Sequence, residues 1–521
     1  MFLLSLQIAC TTPETPVTQN SQSLPNTLLL RRMSLDIRGR LPSLAEYQEV
    51  MTDPNWEHTI DSLLESPEFE EHLVHRFAGL WYTRVDEFDI VADDFDLDPS
   101  EWWFPFARSV GEEPLRWMAY VAAHDRPWTD IVTSDTVLAN DLLVQIFPMS
   151  YTEEPSPTHL SSTALSDWHL AKYEDGRPPV GILSSNGLWW RYPTDSFNMN
   201  RTRAAMITKM LLCDDYLARP INFRASTNIL ENTETAIQED PSCLTCHASL
   251  DPLSASMFGF WWIERYNPLE ATYYHPEREL QGTEMMSVEP AWFGHPVTGF
   301  AEVGQRIAQD SRFHQCTVRQ SMEMLLQRSM NEEDFQTMTE NTLVFKTSFL
   351  YKELWKSILL SDEYRQVHDQ DGMRNDRLLS PYQQTHTLAT FTEYAWKSEN
   401  TDLMDVFYRT MAGGIDGFQT FEAQRFANLS SSLVLERLAE ASANSFVEAH
   451  IDVLPTPQDQ EFVPYISELR LGLHGLEADQ IWIGETMQLW LEVYDASGQN
   501  KAIAWEVTLS ALFQDIAFIR Y

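Results

Sequence analysis

The sequence has few basic residues for its size, and this shortage restricts the partners that it can bind. Lysine and arginine number 36 against 77 aspartates and glutamates, which gives a formal net charge of -41 at pH 7. Because the phosphates of nucleic acid repel such a surface, we expect no nucleic-acid partner. A surface this acidic suits a basic redox partner, and it is equally typical of a soluble protein from a salty habitat.

Long apolar runs and several catalytic motifs are also missing. No stretch approaches the roughly 20 apolar residues that are needed to span a bilayer. The sequence has no Gly-x-Ser-x-Gly elbow, no His-Glu-x-x-His helix and no glycine-rich dinucleotide loop, so these hydrolase, metalloprotease and dehydrogenase classes are not indicated. An apolar content of 43% nevertheless supplies a large core, and 521 residues exceed what one core usually serves.

Only five cysteines are present, and two of them stand in one short motif. Cys243, Cys246 and His247 form a Cys-x-x-Cys-His run, which is the attachment motif for c-type haem. In that motif the two thiols form thioethers with one porphyrin, and the imidazole ligates the iron. The sequence therefore predicts one covalently attached haem c, with His247 as the proximal ligand.

Three other interpretations compete with haem at this motif. A zinc site needs a second pair of ligands, which only Cys213, Cys316 or scattered histidines could supply. A thioredoxin-like dithiol is expected within a βαβ unit, and the flanking sequence shows no strand pattern. A structural disulfide between cysteines three residues apart is the third interpretation, and we favour haem over all of these.

The N-terminus MFLLSLQIAC, followed by a polar run, resembles a bacterial lipoprotein signal with Cys10 as the lipidated residue. A plain export signal and a chance apolar start are the alternatives. Covalent haem attachment takes place outside the bacterial cytoplasmic membrane, so the motif and the signal support each other. We expect a lipoprotein of the periplasm or outer cell envelope, held to the membrane by an N-terminal lipid anchor.

Two cysteines remain once lipid and haem have taken the other three. In an oxidising compartment, Cys213 and Cys316 are expected to form a disulfide. Two buried free thiols are the alternative.

Local signals predict helices along the whole chain. Gly39 is expected to end a first helix, Ser43 and Glu46 have the form of a capping box, and Ser66-Pro67 has the form of a helix start. No sustained strand, hairpin or repeat is evident. The sequence therefore predicts a mostly α, multi-helical protein, with two to three helical subdomains packed around a single c-type haem segment.

Composition and turn signals divide the chain into five parts. They are a signal and polar tether (1–25), an N-terminal helical domain (26–148), an irregular insertion rich in Ser, Thr, Pro and Gly (149–179), a haem c-binding helical domain (180–375) and a C-terminal helical domain (376–521).

Several segments resemble a known family. The stretches RRMSLDIRGRLPSLAEYQEVM and DPSCLTCHASLDPLSASMFGFWWIERYN are similar to exported haem-c-binding proteins of unknown function from planctomycetes and myxobacteria. That cytochrome c-like family carries Leu-Asp-Pro-Leu after its Cys-x-x-Cys-His motif, and the resemblance extends over nearly the whole ordered chain. Arg201 and Arg203 match its Asn-Arg-x-Arg-Ala segment. They could neutralise haem propionates, or they could cap a helix or pair with local carboxylates.

A low-spin haem needs a second axial ligand, usually Met or His. Met285 and Met286 lie about forty residues after the haem histidine, which is a suitable reach. His275 and His295 are alternatives, and an iron without a protein ligand on its distal side is another.

These features favour an exported monohaem c-type cytochrome that transfers single electrons to an unidentified redox protein. Such a protein needs no acid–base residues, so an electron-transfer protein is favoured over a stand-alone enzyme. One alternative is a haem-containing enzyme subunit acting on sugars or polysaccharide, since the chain is much longer than a bare electron carrier requires. Another is a scaffold or sensor with a structural haem.

Overall fold

Helices dominate the structure, which confirms the predicted mostly α, multi-helical class. The computed structural model describes residues 23–153, 160–163, 165–220, 237, 240–262, 266–366, 377–398 and 401–521. The predicted lipidation site Cys10 and nearly all of the predicted signal and tether lie outside the described residues.

The helices of the first half lead up to and include the predicted haem segment. They are α1 (Asn26–Arg38), α2 (Leu44–Thr52), α3 (Trp56–Leu64), α4 (Pro67–Trp81), α5 (Pro99–Ala123), α6 (Asp130–Thr133), α7 (Asp141–Ile146), α8 (Asn186–Arg191), α9 (Arg201–Leu212) and α10 (Pro241–Ala255).

The helices of the second half follow that segment. They are α11 (Pro268–Thr272), α12 (Gln281–Met286), α13 (Phe300–Gln309), α14 (Ser311–Leu326), α15 (Phe335–Ser348), α16 (Tyr351–Leu360), α17 (Asp362–Arg365), α18 (Pro381–Thr392), α19 (Leu429–His450), α20 (Phe462–His474), α21 (Gln480–Ala496), α22 (Lys501–Phe513) and α23 (Ile516–Ile519).

Short strands accompany the helices. β1 (Val137–Ala139), β2 (Met149–Tyr151) and β3 (His169–Tyr173) form an antiparallel sheet with β3 in the centre. Two of these strands lie in the segment 149–179 that was expected to be irregular. The remaining strands form two-residue hairpins, β4 (Ala291–Trp292) with β5 (His295–Pro296) and β6 (Lys397–Ser398) with β7 (Thr401–Asp402).

The first helices begin and end where the local signals predicted. Gly39 has φ 70° and ends α1 in the left-handed conformation that glycine adopts without steric cost. Ser43 and Glu46 form the capping box of α2, and Pro67 occupies the first turn of α4.

Two large groups of buried apolar side chains, and a small third group around Met286, form the core. The larger group takes its members from residues 29–364 and includes the fully buried Trp117 and Trp355. The second group is centred on α18 to α23, with Trp490 and Trp505 inside it. Within the described residues, no helix combines the length and apolarity that a membrane crossing requires.

Candidate functional site

The Cys-x-x-Cys-His motif lies at the start of α10. Asp240 caps this helix by accepting a hydrogen bond from the Ser242 N–H at 2.8 Å, and Pro241 takes the first helical position, where it loses no hydrogen bond. This start places Cys243 and Cys246 three residues apart on one helix face. Both side chains are half-buried, and neither thiol is in a disulfide.

His247 is held by a carboxylate one helical turn further along α10. Its Nδ1 lies 2.9 Å from Oδ1 of Asp251, and the His247 side chain keeps 23% of its surface exposed. In the neutral ring Nδ1 therefore donates to the carboxylate, and the Nε2 lone pair remains available for a ligand. This Nε2 makes no hydrogen bond to any of the residues that the structure describes.

Arg201 completes the arrangement from the first turn of α9. Its Nε donates to Oδ1 of Asp251 at 2.7 Å, and its Nη2 donates to Oδ2 at 3.0 Å. Burial raises the pKa of Asp251, but the hydrogen bonds from His247 and Arg201 outweigh it and hold that pKa below its usual value. The carboxylate is therefore ionised beside the imidazole at neutral pH.

The segment 214–219, which follows α9, forms hydrogen bonds with the first turns of α10. The Tyr216 and Ser249 hydroxyls hydrogen-bond each other at 2.8 Å, and Arg219 Nη1 donates to the Thr245 carbonyl at 2.9 Å. Arg219 is in turn paired with Asp214. These contacts fix the helix end that carries the two thiols.

Cys213 and Cys316 are joined by a disulfide, with an S–S distance of 2.07 Å and Cα atoms 5.3 Å apart. Cys213 directly follows α9, and Cys316 lies in α14. The bond therefore connects the helix that carries Arg201 to a core helix beyond the haem segment.

Arg203 has surroundings quite different from those of Arg201. It is fully buried, and its guanidinium donates to the carbonyls of Tyr192 and Phe260 and to the Asn200 side chain. It also lies over the ring of Trp262, with 4.2 Å from Cζ to the ring centroid. Its donors are thus used within the core, and contact of either arginine with a haem propionate stays a prediction.

The two candidate distal methionines lie at the end of α12. Met286 is buried against Ala255 and Phe258, and Met285 is 40% exposed. Ala255 is eight residues after His247 on α10, about 12 Å along the helix axis. Met286 therefore packs against the opposite end of α10 from the thiols. His275 has both ring nitrogens engaged, with the Glu270 carbonyl at 2.8 Å and with Glu277 at 3.3 Å.

Two observations bear on the alternative interpretations of the motif. Among the described residues, no group of three or more His, Cys, Asp or Glu side chains is placed to hold a metal ion. Reactive cysteines of dithiol oxidoreductases have a lowered pKa. Here burial, the Asp240 carboxylate and Cys246 raise the pKa of Cys243.

Asp251 is the residue at this site whose role sequence reasoning missed. It belongs to the Leu-Asp-Pro-Leu stretch, four residues after His247, and this spacing places both side chains on one helix face. Helical spacing alone could therefore have identified the pair. Its contact with Arg201, fifty residues away, has no local signal.

Residues 12–102 match the family model of PSCyt2, a protein of unknown function (DUF1549). No curated protein and no solved structure matches the chain.

The predicted membership in a cytochrome c-like family of exported haem-c-binding proteins is wrong. No haem or cytochrome family model matches, and the region that does match ends well before Cys243. The matched residues include α1 to α4, whose capping box and Ser-Pro start are general helix signals. Such signals recur in many helical proteins and do not specify a cofactor.

Proposed function

We propose that this protein is an exported monohaem c-type cytochrome that transfers single electrons. The observation that carries the proposal is the chain of contacts from His247 through Asp251 to Arg201, beside two free thiols on the same helix. A ligating histidine characteristically donates its other ring N–H to a carboxylate, and His247 has that partner.

The free thiols of Cys243 and Cys246, and a His247 Nε2 without a hydrogen bond to the described residues, support a covalently attached haem. Cys243 and Cys246 would hold it through thioethers, and His247 would be its proximal ligand. When bound, such a haem supplies reversible one-electron chemistry at its iron.

The protein side chains set the conditions for that chemistry. Asp251 holds the imidazole ring in one orientation and one tautomer, and its charge makes Nε2 a stronger donor. Arg201 holds both carboxylate oxygens, so Asp251 is not free to turn away from His247. No proton has to move in this arrangement, which suits electron transfer better than acid–base catalysis.

The expected cellular localisation and the expected redox partner are part of the same proposal. Lipidation at Cys10 would hold the protein to the membrane in the periplasm or outer cell envelope. The partner is an unidentified redox protein, and the net charge of -41 favours one with a basic surface.

The test is expression in a periplasm that contains haem-attachment enzymes, followed by denaturation and a pyridine haemochrome spectrum. We expect a c-type spectrum with one covalent haem per chain. The double variant C243S/C246S should retain none, because both thioethers are lost. C10S is the matched control, since it removes a cysteine that lies outside the motif and should leave the haem content unchanged.

The proposal is contradicted if the wild-type protein is folded and exported but contains no covalent haem. The spectrum of the native reduced protein then tests the distal ligand. A Met-ligated spectrum that is lost in M285A or M286A identifies which of the two coordinates the iron, and a high-spin spectrum shows that neither does.

A further inference from the structure

A second candidate site lies in a cavity distant in sequence from the haem motif. The cavity has a volume of about 520 Å³ and lies among α4, α14, α18 and the segment 404–417. This volume is within the range of small-molecule sites in proteins. Four arginines contribute to its lining: Arg76, Arg84, Arg377 and Arg409.

At one end of the cavity the charges are balanced. Arg84 and Arg409 both pair with Asp405, at 3.1 and 2.9 Å. Arg84 also pairs with Glu112 at 2.9 Å, and Arg409 with Asp86 at 2.6 Å. These guanidinium groups are therefore neutralised within the protein.

At the other end, the described carboxylate that pairs with Arg76 is Asp36. Asp36 is fully buried, with its oxygens 3.5 Å from Nη2 of Arg76 and 3.9 Å from Nε of Arg32. It also accepts hydrogen bonds from the Tyr364 hydroxyl at 3.0 Å and the Tyr521 hydroxyl at 3.2 Å. One carboxylate thus already serves two guanidinium groups at long range.

Arg377 adds a third positive charge at the same place. Its side chain makes no hydrogen bond or ion pair with the residues that the structure describes. Burial and the neighbouring Arg76 lower the pKa of Arg377, while Asp36 and Tyr521 only partly oppose them. A guanidinium in such surroundings is costly unless an anion compensates it.

The remaining lining combines apolar side chains with polar ones, among them the carboxylates of Asp402 and of Glu323, which pairs with Arg319. Met324, Pro381, Met404 and Ile415 contribute to the walls, and they offer aliphatic surface to a ligand. The ring of Tyr382 also lines the cavity, stacked on His75 with 3.6 Å between the ring centroids. A cavity that combines the guanidinium groups of Arg76 and Arg377 with aliphatic and aromatic side chains matches an amphipathic anion better than an inorganic one.

We propose that this cavity binds a small organic carboxylate, with the carboxylate on Arg377 and Arg76 and the apolar body against the methionine and proline walls. A guanidinium can donate two parallel N–H groups to one carboxylate, so Arg377 alone offers a bidentate contact. The proposal is independent of the haem, because none of these residues belongs to the motif on α10.

Calorimetric titration of the exported full-length protein tests the proposal with benzoate as probe. Benzamide is the matched neutral probe, with the same ring and nearly the same shape. We expect benzoate to bind at least about tenfold more tightly, since a hydrogen-bonded charge is lost in benzamide. Equal binding of the two, or no benzoate binding at tens of millimolar, overturns the proposal. If sulfate binds as tightly as benzoate, the proposed contact between the apolar body of the ligand and the cavity walls is wrong.

The variant R377Q tests the assigned residue. It removes a poorly compensated charge, so we expect it to fold and to have a thermal midpoint no lower than that of the wild type. Benzoate affinity should fall about tenfold or more, and the rise in thermal midpoint that benzoate causes should disappear. R306Q is the matched control, because Arg306 lies on α13 in a half-exposed pair with Glu302, and neither residue lines the cavity. Unchanged benzoate affinity in folded R377Q contradicts the assignment.

Discussion

At the scale of single residues, the character of the candidate haem site depends on Asp251. The side chain is only 7% exposed and remains ionised because His247 and Arg201 both donate to it. An anionic partner raises the basicity of a ligating imidazole, and this favours the oxidised form of a bound iron. Asp251 would therefore influence the reduction potential of a bound haem, although it lies outside the Cys-x-x-Cys-His motif.

Replacing Asp251 by Asn tests this influence on the reduction potential. The amide can still accept from Nδ1, so one covalent haem per chain should be retained. We expect the midpoint potential to rise by about 60 mV, the equivalent of roughly 1.5 kcal/mol for one charge-assisted hydrogen bond. Spectroelectrochemical titration measures the shift. D135N removes a carboxylate from an exposed pair with Lys172 and serves as control. A potential that does not move in D251N would refute this role.

The residues show clearly which features could be foreseen. Gly39, the Ser43–Glu46 box and the Ser66-Pro67 start act within four residues, so short patterns identify them. The meeting of Arg76 with Arg377 joins residues 301 positions apart, and no local pattern encodes it. The Cys-x-x-Cys-His motif is also local, so its residues could be named, whereas the contact of Asp251 with Arg201, fifty residues away, could not.

At the scale of elements, the disulfide joins α9 to α14 across a sequence separation of 103 residues. The enclosed segment contains α10 with its thiols and histidine. Because α9 supplies Arg201 to Asp251, the bond also limits how far that arginine can move from α10. The sheet β1–β3–β2 was not foreseen at this scale, since its pairing brings together strands separated by some twenty to thirty residues.

Removing this disulfide should destabilise the protein strongly. For a closed loop of about 100 residues, the chain-entropy argument gives a loss of about 4.7 kcal/mol in the free energy of unfolding. The variant C213A/C316A should therefore unfold at a lower urea concentration than the oxidised wild type. Wild type treated with a thiol reductant is the control and should unfold like the variant. Identical midpoints for the variant and the oxidised wild type would show that the bond contributes nothing.

At the scale of the whole molecule, buried neutral histidines make stability sensitive to acid. Burial lowers the pKa of His474 to about 4, and it lowers those of His72 and His75 well below their usual value. In the unfolded chain a histidine titrates near 6.5. The unfolded state thus takes up protons below that pH while the folded state does not, so stability is full above about pH 6.5 and falls toward pH 4.

His474 alone should account for about 3 kcal/mol of this loss. The thermal midpoint should fall between pH 6.5 and 4.5, and it should fall less in H474Q. Measurement at about 1 M salt, where the Debye length is about 3 Å, separates this effect from the changing net charge. H58Q, at an exposed histidine, is the control. Parallel pH curves for wild type and H474Q would contradict the assignment.

The arginine end of the cavity also affects how fast a ligand arrives. A carboxylate that approaches this protein from a distance meets the repulsion of 41 excess negative charges before it reaches Arg377. Added salt shortens the range of that repulsion to a few ångströms, while it screens a half-buried guanidinium in the cavity less. Capture of the proposed ligand is therefore slowest in dilute buffer and accelerates as ionic strength rises, the reverse of ordinary electrostatic steering.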